Sequence, residues 1–174
     1  MEKCVLCEIV NGRLPSKKVY EDKEILAVLD INGANVGHTF IIPKSHFTIM
    51  EQVPNDILGK SFGVANKVSK TMFDTLNIQG TNLFISNGVS AGQMVAHFLI
   101  NVIPRKENDG INLQWIPRQI TEEEMSTVEL KLKSAQEHIP PQPDKKIKKA
   151  QVLPVETAIR VGDNYLHRQM RRIP

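Results

Sequence analysis

Four short stretches of the chain carry side chains that can do chemistry. The first, Gln93-Met94-Val95-Ala96-His97-Phe98-Leu99-Ile100-Asn101-Val102-Ile103-Pro104, alternates as a strand does. Residues two apart in a strand share a face, which sets His97, Leu99 and Asn101 on one side and Phe98, Ile100 and Val102 on the other. Of the first three, only His97 titrates near neutrality and offers a nitrogen lone pair. Leu99 has none, and Asn101 hydrogen-bonds without carrying a proton. The second stretch, Cys4-Val5-Leu6-Cys7, holds both cysteines of the chain. That spacing suits a redox pair, a metal knuckle or two buried thiols. The third is Asp30, after the apolar run Ile25-Leu26-Ala27-Val28-Leu29. A carboxylate there can accept two hydrogen bonds from a vicinal diol, or it can close the strand as a turn residue. The fourth, Asn87-Gly88-Val89-Ser90-Ala91-Gly92-Gln93, is either a hairpin turn or a loop whose exposed N–H groups face an anion.

Together with Gly37-His38-Thr39-Phe40-Ile41-Ile42-Pro43-Lys44-Ser45-His46, these stretches resemble the histidine triad (HIT) family of nucleotide hydrolases and transferases. In that family three His alternate with apolar residues. Here the first is His97, and the second and third positions hold Leu99 and Asn101, a degenerate triad. The resemblance implies that the middle His attacks the α-phosphorus to form a nucleotidyl-histidine, and Leu99 has no lone pair for that attack. It also implies that the turn holding Gly92 cradles a phosphate, with Asn87 and Gln93 as hydrogen-bonding positions and Met94 where many relatives have Ser. Asp30 matches the acidic residue that binds ribose hydroxyls, while Leu6, Ile9 and Ile31 are candidate base contacts. Zinc-containing branches use ligands that match Cys4, Cys7, His46 and His97. Two thiolates and two imidazoles are a closed set for structural zinc, which accounts for the survival of His97 without its two triad companions. His38 reads as a hydrogen-bonded residue behind the ligands rather than one of them.

These residues need a scaffold, and the patterning supplies one of α+β class. The sequence predicts a short helix in 4–12, paired strands at 19–21 and 24–30, and a third strand over 38–43. An amphipathic helix follows over 54–76, where Ile57, Leu58, Phe62, Ala65, Val68 and Met72 recur at helical spacing. Strands at 83–86 and 96–103 complete an antiparallel sheet with one long helix and a short N-terminal one, the order of the HIT fold. We divide the chain into a HIT-like domain, 1–115, a helical connection, 116–143, and a basic C-terminal extension, 144–174, packed on the domain or on a partner subunit. Thr121-Glu122-Glu123-Glu124 is a capping box opening a helix that runs to about His138, and Pro140-Pro141-Gln142-Pro143 stops it. The family resemblance implies a homodimer.

Composition narrows the function. With 174 residues, 41% hydrophobic and 24% charged, the chain can bury a real core. No apolar run approaches the roughly 20 residues that span a bilayer. Two close cysteines and no hydrophobic leader lead us to expect a cytoplasmic protein. Residues 144–174 carry eight Lys or Arg against three Asp or Glu, a charge of +5 that leaves −2 elsewhere. Basic segments bind nucleic acid by releasing counterions, but the interleaved Ile147, Val152, Leu153, Val155, Ile159 and Val161 favour a segment that packs. Three functions fit: a zinc-stabilised binder of a purine nucleoside or nucleotide, a diverged hydrolase of a non-phosphoryl bond in a heterocyclic cofactor such as a folate, or a nucleic-acid or protein interaction module acting through the basic tail.

Overall fold

The computed structural model describes residues 4–136; the expectations for His138, the Pro140–Pro143 break and the segment 144–174 lie outside them. The chain divides into two units, residues 1–111 and 112–174.

In the first unit, α1 (Val5–Val10) begins after Cys4 and ends at Asn11, whose amide nitrogen donates to the Cys7 carbonyl at 2.7 Å. A single sheet follows, built from β1 (Lys18–Glu21), β2 (Ile25–Leu29), β3 (Thr39–Pro43), β4 (Gly80–Phe84) and β5 (Ile100–Arg105), in the order β1-β2-β3-β5-β4. Each neighbouring pair is antiparallel. Between β3 and β4 runs α2 (Asn55–Thr75).

Strand alternation sorts the apolar residues onto two faces. Ile25, Ala27, Ile41, Phe98, Ile100 and Val102 pack with Val64, Ala65, Val68 and Met72 of α2 in the larger core. Leu26, Val28 and Ile42 point the other way and pack under Leu6 of α1, with Phe40 and Leu99 partly buried beside them. The long helix thus covers one face, and the short helix covers part of the face that carries the candidate chemistry. Ser61, fully buried on α2, hides its hydroxyl by donating to the Ile57 carbonyl at 2.8 Å. Ile41 is fully buried at the centre of the larger core, and Ile41→Ala is expected to cost about 2–5 kcal/mol of unfolding free energy. A urea denaturation midpoint shift under 1 kcal/mol, at unchanged slope, would contradict that packing.

Two strand boundaries differ from the sequence expectation. The last strand begins at Ile100, not at residue 96. The reason is local hydrogen bonding: the His97 N–H bonds the Val95 carbonyl at 2.8 Å and the Phe98 N–H bonds the Phe47 carbonyl at 2.6 Å, which pulls 96–99 out of the ladder. β4 lies earlier than 83–86, because its register with β5 runs from Gly80 opposite Arg105 to Phe84 opposite Asn101. After β5, the Arg105 guanidinium donates to both carboxylate oxygens of Asp109, at 2.6 and 2.9 Å, and ties back the chain leaving the sheet.

In the second unit, α3 (Glu122–Gln136) opens with the expected capping box. The Glu124 N–H donates to the Thr121 hydroxyl at 3.2 Å, and the Thr121 N–H donates to the Glu124 carboxylate at 2.9 Å.

Candidate functional site

The first turn of α1 sets Cys4 and Cys7 on one side, the chain leaving β3 delivers His46, and the irregular approach to β5 delivers His97. Their four ligand atoms lie within 4.8 Å of one another. His46 Nδ1 is 3.2 Å from Cys7 Sγ; His97 Nδ1 is 3.5 Å from Cys4 Sγ and 3.6 Å from Cys7 Sγ. The other ring nitrogen of His97, Nε2, donates to the Pro43 carbonyl at 3.0 Å, which leaves Nδ1 unprotonated and turned to the sulfurs. Burial pushes the His97 imidazole below its ordinary pKa, against the opposing pull of the Pro43 bond, and so favours the neutral ring. Burial, then the neighbouring Cys4, pushes the Cys7 thiol up. Both cysteines are free thiols. Two sulfurs and two imidazole nitrogens converging this closely form a set of donors that could hold a metal ion.

Beside the cluster, a cavity of about 330 Å³ opens on the same face of the sheet. Its apolar walls include Leu6, Phe40, Phe84, Leu99 and Ile103, and its polar groups are His38, Ser86, Gln93, His97 and Asn101. Two other concavities, of about 870 and 370 Å³, hold no His or Cys among their described lining residues. Although His97 and Leu99 precede the ladder, they line this cavity together with Asn101, as the face assignment predicts.

Asn101 is the polar centre of the cavity. Its amide nitrogen donates to the Phe84 carbonyl at 3.0 Å, and its oxygen lies 3.0 Å from His38 Nε2. The Ala34 N–H donates to His38 Nδ1 at 3.1 Å, so the ring proton sits on Nε2 and is given to Asn101. Both nitrogens of His38 are therefore committed, and neither is free to take a proton from a bound molecule. Gly33 permits this closeness, since a Cβ there would lie 2.7 Å from that of His38.

The other sequence-predicted residues divide. Leu6, Gly92 and Gln93 line the cavity. Asp30 does not: its carboxylate accepts the Asn32 N–H at 2.9 Å and lies 3.5 Å from His38 Nδ1, the geometry of a turn-closing residue behind the wall. Ile9 packs with the α1 cluster, and Ile31 is 92% exposed. Asn87 turns away from the cavity: its oxygen accepts the Met50 N–H at 2.9 Å and its amide donates to both Glu51 oxygens, at 2.7 and 2.8 Å. Gln93 donates to the Thr48 and Val95 carbonyls, at 2.7 and 2.9 Å, and accepts the Gly88 N–H at 2.8 Å. Sequence reasoning missed Phe40, Phe84, Ser86 and Ile103 as walls. Phe40 and Phe84 are the cross-strand partners of Asn101, so strand register was the missing signal.

Fold and site thus define an antiparallel α+β protein in which a Cys₂His₂ cluster flanks a small heterocycle-sized cavity. The chain belongs to the HIT family, whose domain matches residues 11–108. An uncharacterised HIT-like protein of Methanocaldococcus jannaschii is 42% identical over 107 residues, 62% of this chain and 82% of that one. The adenosine 5′-monophosphoramidase of Candida albicans is 33% identical over 124 residues, 68% of this chain and 81% of its own length. Among solved structures, a zinc-bound histidine triad family protein from Mycobacterium smegmatis matches with a TM-score of 0.61 and 31% identity, over 76% of this chain and 97% of that one. No helix among the described residues is long and apolar enough to cross a membrane.

Proposed function

We propose that this protein binds a purine nucleoside or nucleotide in the cavity around Asn101 and does not carry out nucleotidyl-histidine chemistry. The carrying observation is the side chain at the centre of the wall: Leu99 lines the cavity between His97 and Asn101 and has nothing to attack phosphorus with. His97 faces the sulfurs of the cluster, and His38 has both nitrogens committed. Phe40, Phe84, Leu99 and Ile103 supply flat apolar contact for a base, and Asn101 and Ser86 supply polar groups that orient it. The similarity to an adenosine 5′-monophosphoramidase supports adenine as the first base to try. Cys4, Cys7, His46 and His97 hold structural zinc, a reading supported by the zinc-bound relative and by the donor set itself. When bound, zinc cross-links α1 to the entries of His46 and His97, and α1 carries the cavity wall residue Leu6. We assign the protein to the cytoplasm, on its two close cysteines and the lack of a disulfide framework, and to a homodimer by the family likeness.

Calorimetric titration with nucleosides, nucleotides, dinucleotides and folate-type cofactors, with chromatography of each mixture, tests the proposal. A purine compound should bind at micromolar concentration and be recovered unchanged. Turnover of any compound would refute the non-catalytic reading; binding of a folate alone would move the ligand class.

A further inference from the structure

We infer that His46 is the exchangeable ligand of the Cys₂His₂ cluster, the side chain that leaves the metal so that a thiolate from solvent can take its place. The inference rests on the zinc reading above and adds which donor yields. The four donors are not held alike. His97 is 1% exposed, its Nε2–H is fixed on the Pro43 carbonyl at 3.0 Å, and the neighbouring Phe98 N–H is tied to the Phe47 carbonyl at 2.6 Å. A buried ring bonded through its second nitrogen cannot turn without breaking that bond. Cys4 and Cys7 are carried by the turns of α1: the Glu8 N–H donates to the Cys4 carbonyl at 3.1 Å, the Asn11 N–H donates to the Cys7 carbonyl at 3.0 Å, and Leu6 between them is buried.

His46 has neither restraint. Its side chain is exposed, and among the described residues no hydrogen bond holds its Nε2. Its one ring contact is with His97, edge-on at 4.9 Å between centroids. A ligating His is ordinarily anchored through its second nitrogen, and loss of such an anchor weakens metal binding about ten- to a hundredfold. The backbone beside it keeps its place without the ring, because Phe47 packs on the larger core and the Phe47 and Thr48 carbonyls accept from Phe98 and Gln93. The imidazole can thus rotate into water while the chain stays put. Zinc favours sulfur donors, and three thiolates with one imidazole are as closed a structural set as two and two. In the exchange the His46 nitrogen leaves the ion, the solvent sulfur binds it, the thiol proton passes to water, and nothing is oxidised or reduced.

The test is ring ¹⁵N spectroscopy of the zinc-loaded full chain, titrated with 2-mercaptoethanol. The His46 Nδ1 signal should move from its metal-bound to its free position while that of His97 stays metal-bound and one ion per chain is retained. A tethered ring competes at an effective concentration of order millimolar, so about 0.1 M thiol is ample. His46→Ala gives a second reading. It should keep one zinc per chain, held about ten- to a hundredfold more weakly than in wild type. Loaded with cobalt(II) instead, it should gain the sulfur-to-metal absorption of a third thiolate at lower thiol concentration than wild type does. Should that variant fail to fold, the wild-type spectra decide alone. Release of His97 before His46 or together with it, no movement of His46 up to about 0.1 M thiol, or loss of the ion with His46 still bound overturns the inference and leaves the zinc reading standing. A folded wild-type chain that takes up no zinc sinks the zinc reading and the inference with it.

Discussion

Wild-type protein mixed with adenosine 5′-monophosphoramidate is expected to leave the compound intact and to form no covalent nucleotidyl adduct. The double variant Leu99→His, Asn101→His is expected to gain hydrolysis. Loss of a covalent nucleophile costs about six orders of magnitude in rate, or roughly 8 kcal/mol of barrier. A His at 99 would line the cavity beside position 101, while His38 could still present its Nε2–H to a ring nitrogen at 101. The gain should be partial, about 10² to 10⁴ over wild type, because positioned acid–base groups contribute on that scale. Mass spectrometry of the quenched double variant would show the nucleotidyl-histidine. A folded double variant with no adduct and no turnover would mean that replacing Leu99 and Asn101 is not enough. Hydrolysis by wild type at a rate comparable to the variant would sink the reading of Leu99 altogether.

How far the sequence could be read follows from which interactions are local. The alternation of 97–102 correctly separated the α2-facing residues Phe98, Ile100 and Val102 from the cavity-facing Leu99 and Asn101, because side-chain direction follows from the two-residue period. It did not reveal that His97 leaves the ladder, since that depends on the Phe47 carbonyl, fifty-one residues away, capturing the Phe98 N–H. The convergence of Cys4, Cys7, His46 and His97 came from a family pattern, and no local rule would have joined residues 93 apart. Asn87 and Asp30 show what residue type alone leaves out. Each has the right type for a ligand contact, yet Glu51 and the Asn32 N–H compete for their polar atoms. Such competition appears only when distant loops are laid side by side, and so the aromatic walls Phe40 and Phe84 were equally invisible until register was known.

Removal of metal is expected to have the second large effect. Protein purified with zinc should carry one ion per chain, and Cys7→Ser or strong chelation should release it. At free zinc a thousandfold above Kd the ion contributes about 4 kcal/mol to stability. For a unit of this size that corresponds to a fall in Tm of about 15 °C or more on its removal. The loss should be concentrated in α1, which packs on the sheet through Leu6, Ile9 and Val10 with Cys4 at its start, and is too short to persist as an isolated helix. Amide hydrogen exchange should therefore quicken across 5–10 before it does across α2, whose larger core contains no metal ligand on the helix itself. Affinity should fall with falling pH, and the sign follows from the ligands. Zinc takes thiolates, and the raised Cys7 thiol must give up its proton on binding, so each step down in pH adds a competing proton. His97, with its lowered pKa, stays neutral further into acid and adds no competition until lower pH. The slope from pH 8 to 7 should thus reflect the two thiols, at most about a hundredfold per unit. Because Leu6 lines the cavity from α1, the apo protein should also lose ligand affinity. An apo protein with unchanged Tm and exchange at 5–10 would show that apolar packing alone holds α1 and that the cluster is not its anchor.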